Sequence, residues 1–275
     1  MPGILVPAGF DAEVFATGLD QPAKLAFEAK GNLIVGSDCG ACPVVRLSPA
    51  GSILASSSAI GDPDGVAVDS SGRVFVAGSG QVTIANSLNG GSDVIFASGF
   101  ANLNGIAIDS TDRIVVAEND GQIYGISASG MIVEPPIASL GVVGNPLAFD
   151  ATNKLFAGTI NGSGSGSIVM LNGVITPVTA ELVNPAGMAF DPGCELGRDL
   201  YFAEPFDDQI RKVDVANGTV LRLPQELIFP SVLLSIAPMR CTYRRKTWGE
   251  SSGFFRLEIL SVVEVVLWYS PIQWW

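Results

Sequence analysis

The 275-residue chain contains no histidine. That absence excludes a histidine general base, a Ser–His–Asp triad and any His-ligated metal. Charged residues are sparse at 15%. No run of about 18 or more apolar residues occurs, so no transmembrane helix is expected. The nearest stretch, Phe254–Tyr269, is interrupted by Arg256, Glu258 and Glu264. Basic residues are outnumbered, 15 against 27 acidic, for a net charge of −12. Such a surface repels phosphate backbones, so nucleic acid is not an expected partner. The acidity suits a soluble chain that meets cations or neutral ligands, or confers solubility alone.

Cysteine is scarce too: Cys39, Cys42, Cys194 and Cys241. Cys39 and Cys42 form a C-x-x-C, but between strand-like segments and not at a helix start, where a redox motif gains its lowered thiol pKa. A loop disulfide or two inert thiols fits better, and the other two cysteines do not complete a zinc motif. Met1–Phe10 has neither a basic region nor a long apolar run, so no signal peptide is read. The chain then reads as cytoplasmic or as one that begins after a removed leader. The low charge, the richness in Gly, Ser and Asn, and the C-x-x-C favour export, periplasmic or extracellular, and a monomer is expected.

What is present is a repeat. Five segments align: Pro22–Ser37, Pro63–Ser79, Leu103–Asn119, Asn145–Thr159 and Pro185–Pro205. Their shared alanines, Ala26, Ala67, Ala107, Ala148 and Ala189, are 41, 40, 41 and 41 residues apart. Each unit has a short apolar strand ending in an acidic residue (Glu28, Asp69, Asp109, Asp150, Asp191). A polar turn and a second apolar strand follow. A third strand is read at Val44–Leu47, Gln81–Ala85, Gln122–Ile126, Ser167–Leu171 and Gln209–Val215, and a further turn leads into a fourth. Asp and Gly supply the caps and positive φ of the turns. A four-stranded meander at this period cannot bury its apolar faces alone. Radial stacking solves that, so the chain is expected to be all-β, a β-propeller of about six four-stranded blades.

The pattern P-x-G-h-A-h-D followed by G-x-h-h-V-A-x-S (h, apolar), with Asp207–Asp214, resembles NHL repeats and the wider gluconolactonase-like propeller superfamily. The opening Pro7–Leu19 resembles the first blade of sorbosone-dehydrogenase-like propellers. The resemblance covers roughly residues 7–225 and bears on fold more than on activity. Residues 226–275 depart from it. They hold all four tryptophans and a basic run, Arg240–Lys246. They read as a divergent sixth blade, as a tail of unrelated origin, or as an interaction segment. The N-terminal strand Asp11–Thr17 could pair with the last blade and close the ring.

The residue three before each aligned alanine should face one mouth of the channel. These are Ala23, Asp64, Asn104, Asn145 and Ala186, with Ser231 as a sixth. Oxygen-only ligands suit calcium. The resemblance implies a divalent metal at this kind of position, held here by Asp64, Asn104 and Asn145, although no Glu completes the set. Those residues could equally make turn or inter-blade hydrogen bonds. A second set ends the second strands: Asp38, Ser79, Glu118, Thr159 and Glu204. Glu118, with Asp120 nearby, is the candidate general base or metal ligand, or a solvated loop carboxylate. Quinoprotein sugar dehydrogenases of this fold and paraoxonase-like hydrolases use a histidine, so no quinone cofactor is expected. Two functions result, beside a third possibility that the chain is an incomplete relic without activity. One is a non-catalytic binding scaffold for a protein, glycan or small ligand. The other is a divalent-metal-dependent hydrolase of the lactonase class.

Overall fold

The computed structural model describes residues 15–37, 39–190, 199–204 and 209–222. Asp38, Asp191, Cys194, Asp207, Asp208, Cys241, Ser231 and the tail 226–275 lie outside them, and so does any sixth blade. The described residues form five four-stranded antiparallel sheets arranged as the blades of a propeller ring. Blade one comprises β1 (Pro22–Phe27), β2 (Leu33–Ser37), β3 (Ala41–Leu47) and β4 (Ile53–Gly61). Blade two comprises β5 (Gly65–Val68), β6 (Val74–Gly78), β7 (Gln81–Ile84) and β8 (Val94–Ser98). Blade three has β9 (Leu103–Ile108), β10 (Ile114–Glu118), β11 (Gln122–Ile126) and β12 (Ile132–Ser139). Blade four has β13 (Val143–Phe149), β14 (Leu155–Ile160), β15 (Ser165–Leu171) and β16 (Ile175–Val183). Blade five has β17 (Gly187–Phe190), β18 (Asp199–Glu204), β19 (Gln209–Asp214) and β20 (Thr219–Arg222). Every sheet is a sequential meander, and the first strands β1, β5, β9, β13 and β17 of successive blades pack side by side.

The core lies between blades, which explains the solid apolar runs of the second strands. A strand sends alternate side chains to opposite faces. In β6, Val74 and Val76 face blade one with Ile34, Val44 and Val66, while Phe75 and Ala77 face blade three with Leu103, Ile106 and Val116. In β10, Ile114 and Val116 join that second cluster, whereas Val115 and Ala117 face blade four with Leu147, Leu155 and Val169. Phe156, Phe202, Leu200 and Met188 fill the interface of blades four and five. Leu33, Val35, Val45 and Leu47, on the face of blade one turned away from blade two, pack with Phe15, Ala16 and Leu19.

The acidic turns hold the first two strands together. Asp69 Oδ1 accepts N–H groups from Ser71 and Arg73 and the Ser71 hydroxyl, and its Oδ2 takes Arg73 Nε at 2.6 Å. Asp109 repeats this with Thr111 and Arg113, and Asp150 Oδ1 accepts the corresponding N–H and hydroxyl bonds from Thr152 and Lys154. The fourth turn position is left-handed: Gly72 (φ 82°), Asp112 (φ 62°) and Asn153 (φ 62°). In that conformation Asp112 reaches back to the Ser70 N–H and hydroxyl of the preceding blade, and Asn153 to the Ser110 N–H. A short polar side chain tolerates the left-handed region, and here it ties neighbouring blades.

Candidate functional site

At the opposite end of each blade lie the hairpin between second and third strands and the linker that enters the next blade. A glycine of the hairpin accepts from that linker in four successive blades. Gly40 O takes the Asp62 N–H at 3.2 Å, Gly80 O takes Phe100 at 3.2 Å, Gly121 O takes Leu140 at 2.9 Å and Gly164 O takes Asn184 at 3.2 Å. The approach needs glycine at position 121, where φ is 86° and an added Cβ would meet Val142 O at 2.1 Å.

The linker contains a left-handed residue five before the aligned alanine in three blades: Gln21 (φ 39°), Asp62 (φ 47°) and Asn184 (φ 46°). Non-glycine residues in this region carry strain, and such strain gathers at functional sites. The side-chain oxygen of Asn184 is buried without a hydrogen-bond partner. The sequence reading missed this ring. The Asn/Asp preference for the left-handed region and the regular spacing from Asp62 to Asn184 could have exposed it.

Asp64, Asn104 and Asn145 stand two residues further on, at the same position relative to Ala67, Ala107 and Ala148, in or just before three successive inner strands. Asp64 immediately precedes β5, half-buried, and its N–H donates to Asp62 O at 2.7 Å. Asn104 lies in β9, half-buried, and its Nδ2 donates to Asn119 Oδ1. Asn145 lies in β13. Ala23 in β1 and Ala186 just before β17 mark the same position in blades one and five.

Glu118 is the last residue of β10, opposite Leu103, so it shares an end of blade three with Asn104. It is no solvated loop carboxylate: the residue is 6% exposed, and Oε1 accepts the Ala101 N–H of the linker at 2.6 Å. Glu204 does the same in blade five, accepting the Val183 N–H at 2.6 Å while its Oε2 lies 2.5 Å from Arg211 Nε. Ala101 and Val183 each stand six before their aligned alanine, so the two contacts are equivalent. Thr159 is buried and bonds Ser167, Ser79 is exposed with φ 46°, and Asp120 accepts the Gln122 N–H. Burial, then the charges of Glu118, Glu134 and Asp120, raise the Tyr124 hydroxyl above its ordinary value of 10.0. Among the described residues no three His, Cys, Asp or Glu side chains converge as a metal-binding group. Cys39 and Cys42 form a disulfide in the hairpin of blade one.

No known family matches the sequence, and no curated protein does. Solved structures match the architecture. A gluconolactonase from Xanthomonas campestris superposes with a TM-score of 0.61 at 17% identity, over 82% of this chain and 79% of that one. A chain of a nidogen/laminin complex gives 0.60 at 18%, over 73% and 78%. At identities this low the likeness shows the fold, a β-propeller like that of the gluconolactonase. Virginiamycin B lyase from Staphylococcus aureus shares it, with a TM-score of 0.55 at 18% identity, over 74% of this chain and 70% of that one. This kind of propeller thus occurs in a binding complex and in enzymes, so the fold is compatible with either activity. No helix among the described residues is long and apolar enough to cross a membrane.

Proposed function

We propose that this propeller is a non-catalytic binding scaffold whose ligand surface is the linker end of the ring, taking a protein, glycan or small ligand. The observation that carries the reading is the position of Glu118. The candidate base is buried against its own linker with Oε1 committed to Ala101, where a base needs hydrogen-bond reach to a substrate proton. That end also carries Asp62, Asp64, Asn102 and Asn104, polar groups that suit hydrogen bonding to a neutral or cationic ligand. The test is hydrolysis of a panel of lactones and aryl esters with calcium present, on the wild type and Glu118→Gln. No turnover above background is expected. Turnover that disappears in Glu118→Gln would overturn the reading.

A second reading keeps one observation in its favour. With Asn104 Nδ2 committed to Asn119, Oδ1 is the oxygen that Asn104 offers, and Asp64 stands at the equivalent position of blade two; hard oxygens of this kind suit calcium. Bound there, calcium would polarise a substrate carbonyl and activate water. Thermal unfolding with calcium and with chelator tests it. A ligand at ~100 times its Kd adds about 2.7 kcal/mol. A rise in Tm with calcium that is absent in Asn104→Ala would support the metal site, and equal Tm values in all samples would remove it.

A further inference from the structure

We infer that the Cys39–Cys42 pair is a redox modification site that controls the order of the Asp62–Asp64 turn at the linker end of the ring. Four hairpins hold the next blade's linker through a glycine carbonyl, but of these only the hairpin of blade one carries cysteines. Its glycine, Gly40, lies inside the C-x-x-C loop. The loop is closed by the Cys39–Cys42 disulfide, with Cα atoms 5.9 Å apart, within the usual span of roughly 4.4–6.8 Å.

The contacts run in sequence from sulfur to site. The disulfide fixes the loop that presents Gly40 O. Gly40 O accepts the Asp62 N–H at 3.2 Å, and Asp62 O in turn accepts the Asp64 N–H at 2.7 Å. Asp62 is also left-handed, with φ 47°, a conformation that few residue types other than Gly, Asn and Asp adopt. An added Cβ on Gly36 would stand 3.0 Å from Pro63 O, so the strand beneath packs close to the same turn. The linkers at Phe100, Leu140 and Asn184 have the same glycine contact and no cross-link, so they serve as internal controls.

Access matches the chemistry. Cys39 is half-buried with exposed Gly40 and Ala41 beside it, while Cys42 is 7% exposed. Exchange therefore begins at Cys39 Sγ. In the oxidising direction the Cys39 thiolate attacks one sulfur of a small disulfide such as oxidised glutathione and expels one thiol. Cys42 then displaces the second. One protein S–S bond forms as the oxidant's S–S bond breaks. Two electrons pass to the oxidant, and the two protons lost by the cysteines end on its two thiols. Reduction by a small thiol reverses each step.

The consequence for ligand or cation binding rests on the placing of Asp64 in the proposed site. The ordering of the turn does not, and the experiment reads the ordering directly. The full chain is equilibrated with oxidised or with reduced glutathione. Alkylation and mass spectrometry report the thiols at 39 and 42, and amide hydrogen exchange is followed by residue. Upon reduction the Asp62 and Asp64 amides should exchange at least ~10-fold faster, the low end of what opening a short cross-linked loop gives. Those of Phe100, Leu140 and Asn184 should keep their rates. A Cys39→Ser/Cys42→Ser variant should behave as the reduced protein in either buffer, and Cys39→Ala alone gives the same comparison should the double variant fold poorly. Equal exchange at Asp62 in the two states would overturn the inference. So would cysteines that stay alkylatable in oxidised glutathione.

Discussion

The carboxylate of Glu118 accepts the backbone N–H of Ala101 at 2.6 Å, bridging the end of β10 to the linker that enters the same blade. Glu118 is 6% exposed but Ala101 is exposed, so water can reach the freed amide. Glu118→Ala therefore removes the net worth of one hydrogen bond, about 0.5–1.5 kcal/mol. The urea midpoint should fall accordingly, whereas Glu118→Gln, which retains a carbonyl oxygen, should lose less. Equal losses in the two variants would show that the bond to Ala101 is not what Glu118 contributes.

The acidic turns predict a response to acid. At Asp69 burial opposes ionisation, but bonds from the Ser71 hydroxyl and the backbone and side chain of Arg73 outweigh it and hold the pKa below 3.8. Asp109 is lowered in the same way, with burial again opposed by bonds from Thr111 and Arg113. A carboxylate whose folded pKa is depressed contributes stability that is present above its unfolded value and lost as pH falls through the folded one. Tm should therefore drop as pH is taken below 3.8. In an Asp69→Asn/Asp109→Asn double variant the drop over the same range should be shallower. Identical slopes would rule these turns out as a source of acid lability.

Much of this architecture is legible in the sequence, because the features that repeat are side chains with a forced role. The alanine spacing, the acid that closes the first hairpin and the apolar second strand each have one structural solution, and β11 has the bounds expected for it, Gln122–Ile126. The roles of Glu118 and of the glycines at 40, 80, 121 and 164 were hidden for a different reason. Their partners are backbone N–H groups of linkers, which every residue but proline has, so residue type does not reveal the pairing. The linker end was legible as the place where Asp64, Asn104 and Asn145 align. The left-handed residues beside them were not, since φ is set by how the linker is pulled onto the preceding hairpin.

Arg211 and Arg73 both meet a carboxylate through Nε, yet they predict different costs. Arg211 is 8% exposed and faces a fully buried Glu204, whereas the Arg73 side chain is half exposed beside Asp69. Removing one partner of a buried pair strands the other charge, at about 3–5 kcal/mol. An exposed pair contributes about 0.2–1 kcal/mol. Denaturant unfolding should therefore show Arg211→Ala far more damaging than Arg73→Ala. Glu204→Gln/Arg211→Met should recover part of the loss, because no charge is left stranded. A double variant no better than Arg211→Ala would place the cost in packing and not in charge.

Two glycines separate backbone strain from close approach. Gly72 and Gly121 are both left-handed, at φ 82° and 86°, but an added Cβ at Gly72 meets nothing within 4 Å while at Gly121 it meets Val142 O at 2.1 Å. Gly72→Ala should therefore cost only the left-handed strain of about 1–2 kcal/mol. Gly121→Ala must also push the linker away from its hairpin, which breaks the bond from Leu140 N–H to Gly121 O. With overpacking the expected loss is about 2–5 kcal/mol. Hydrogen exchange adds a sharper criterion, since Gly121→Ala should deprotect Leu140 selectively and Gly72→Ala should leave it unchanged. If both variants lose the same stability and Leu140 stays protected in each, the hairpin glycines do not hold the linkers, and the proposed route from the blade-one cysteines to Asp62 loses its basis as well.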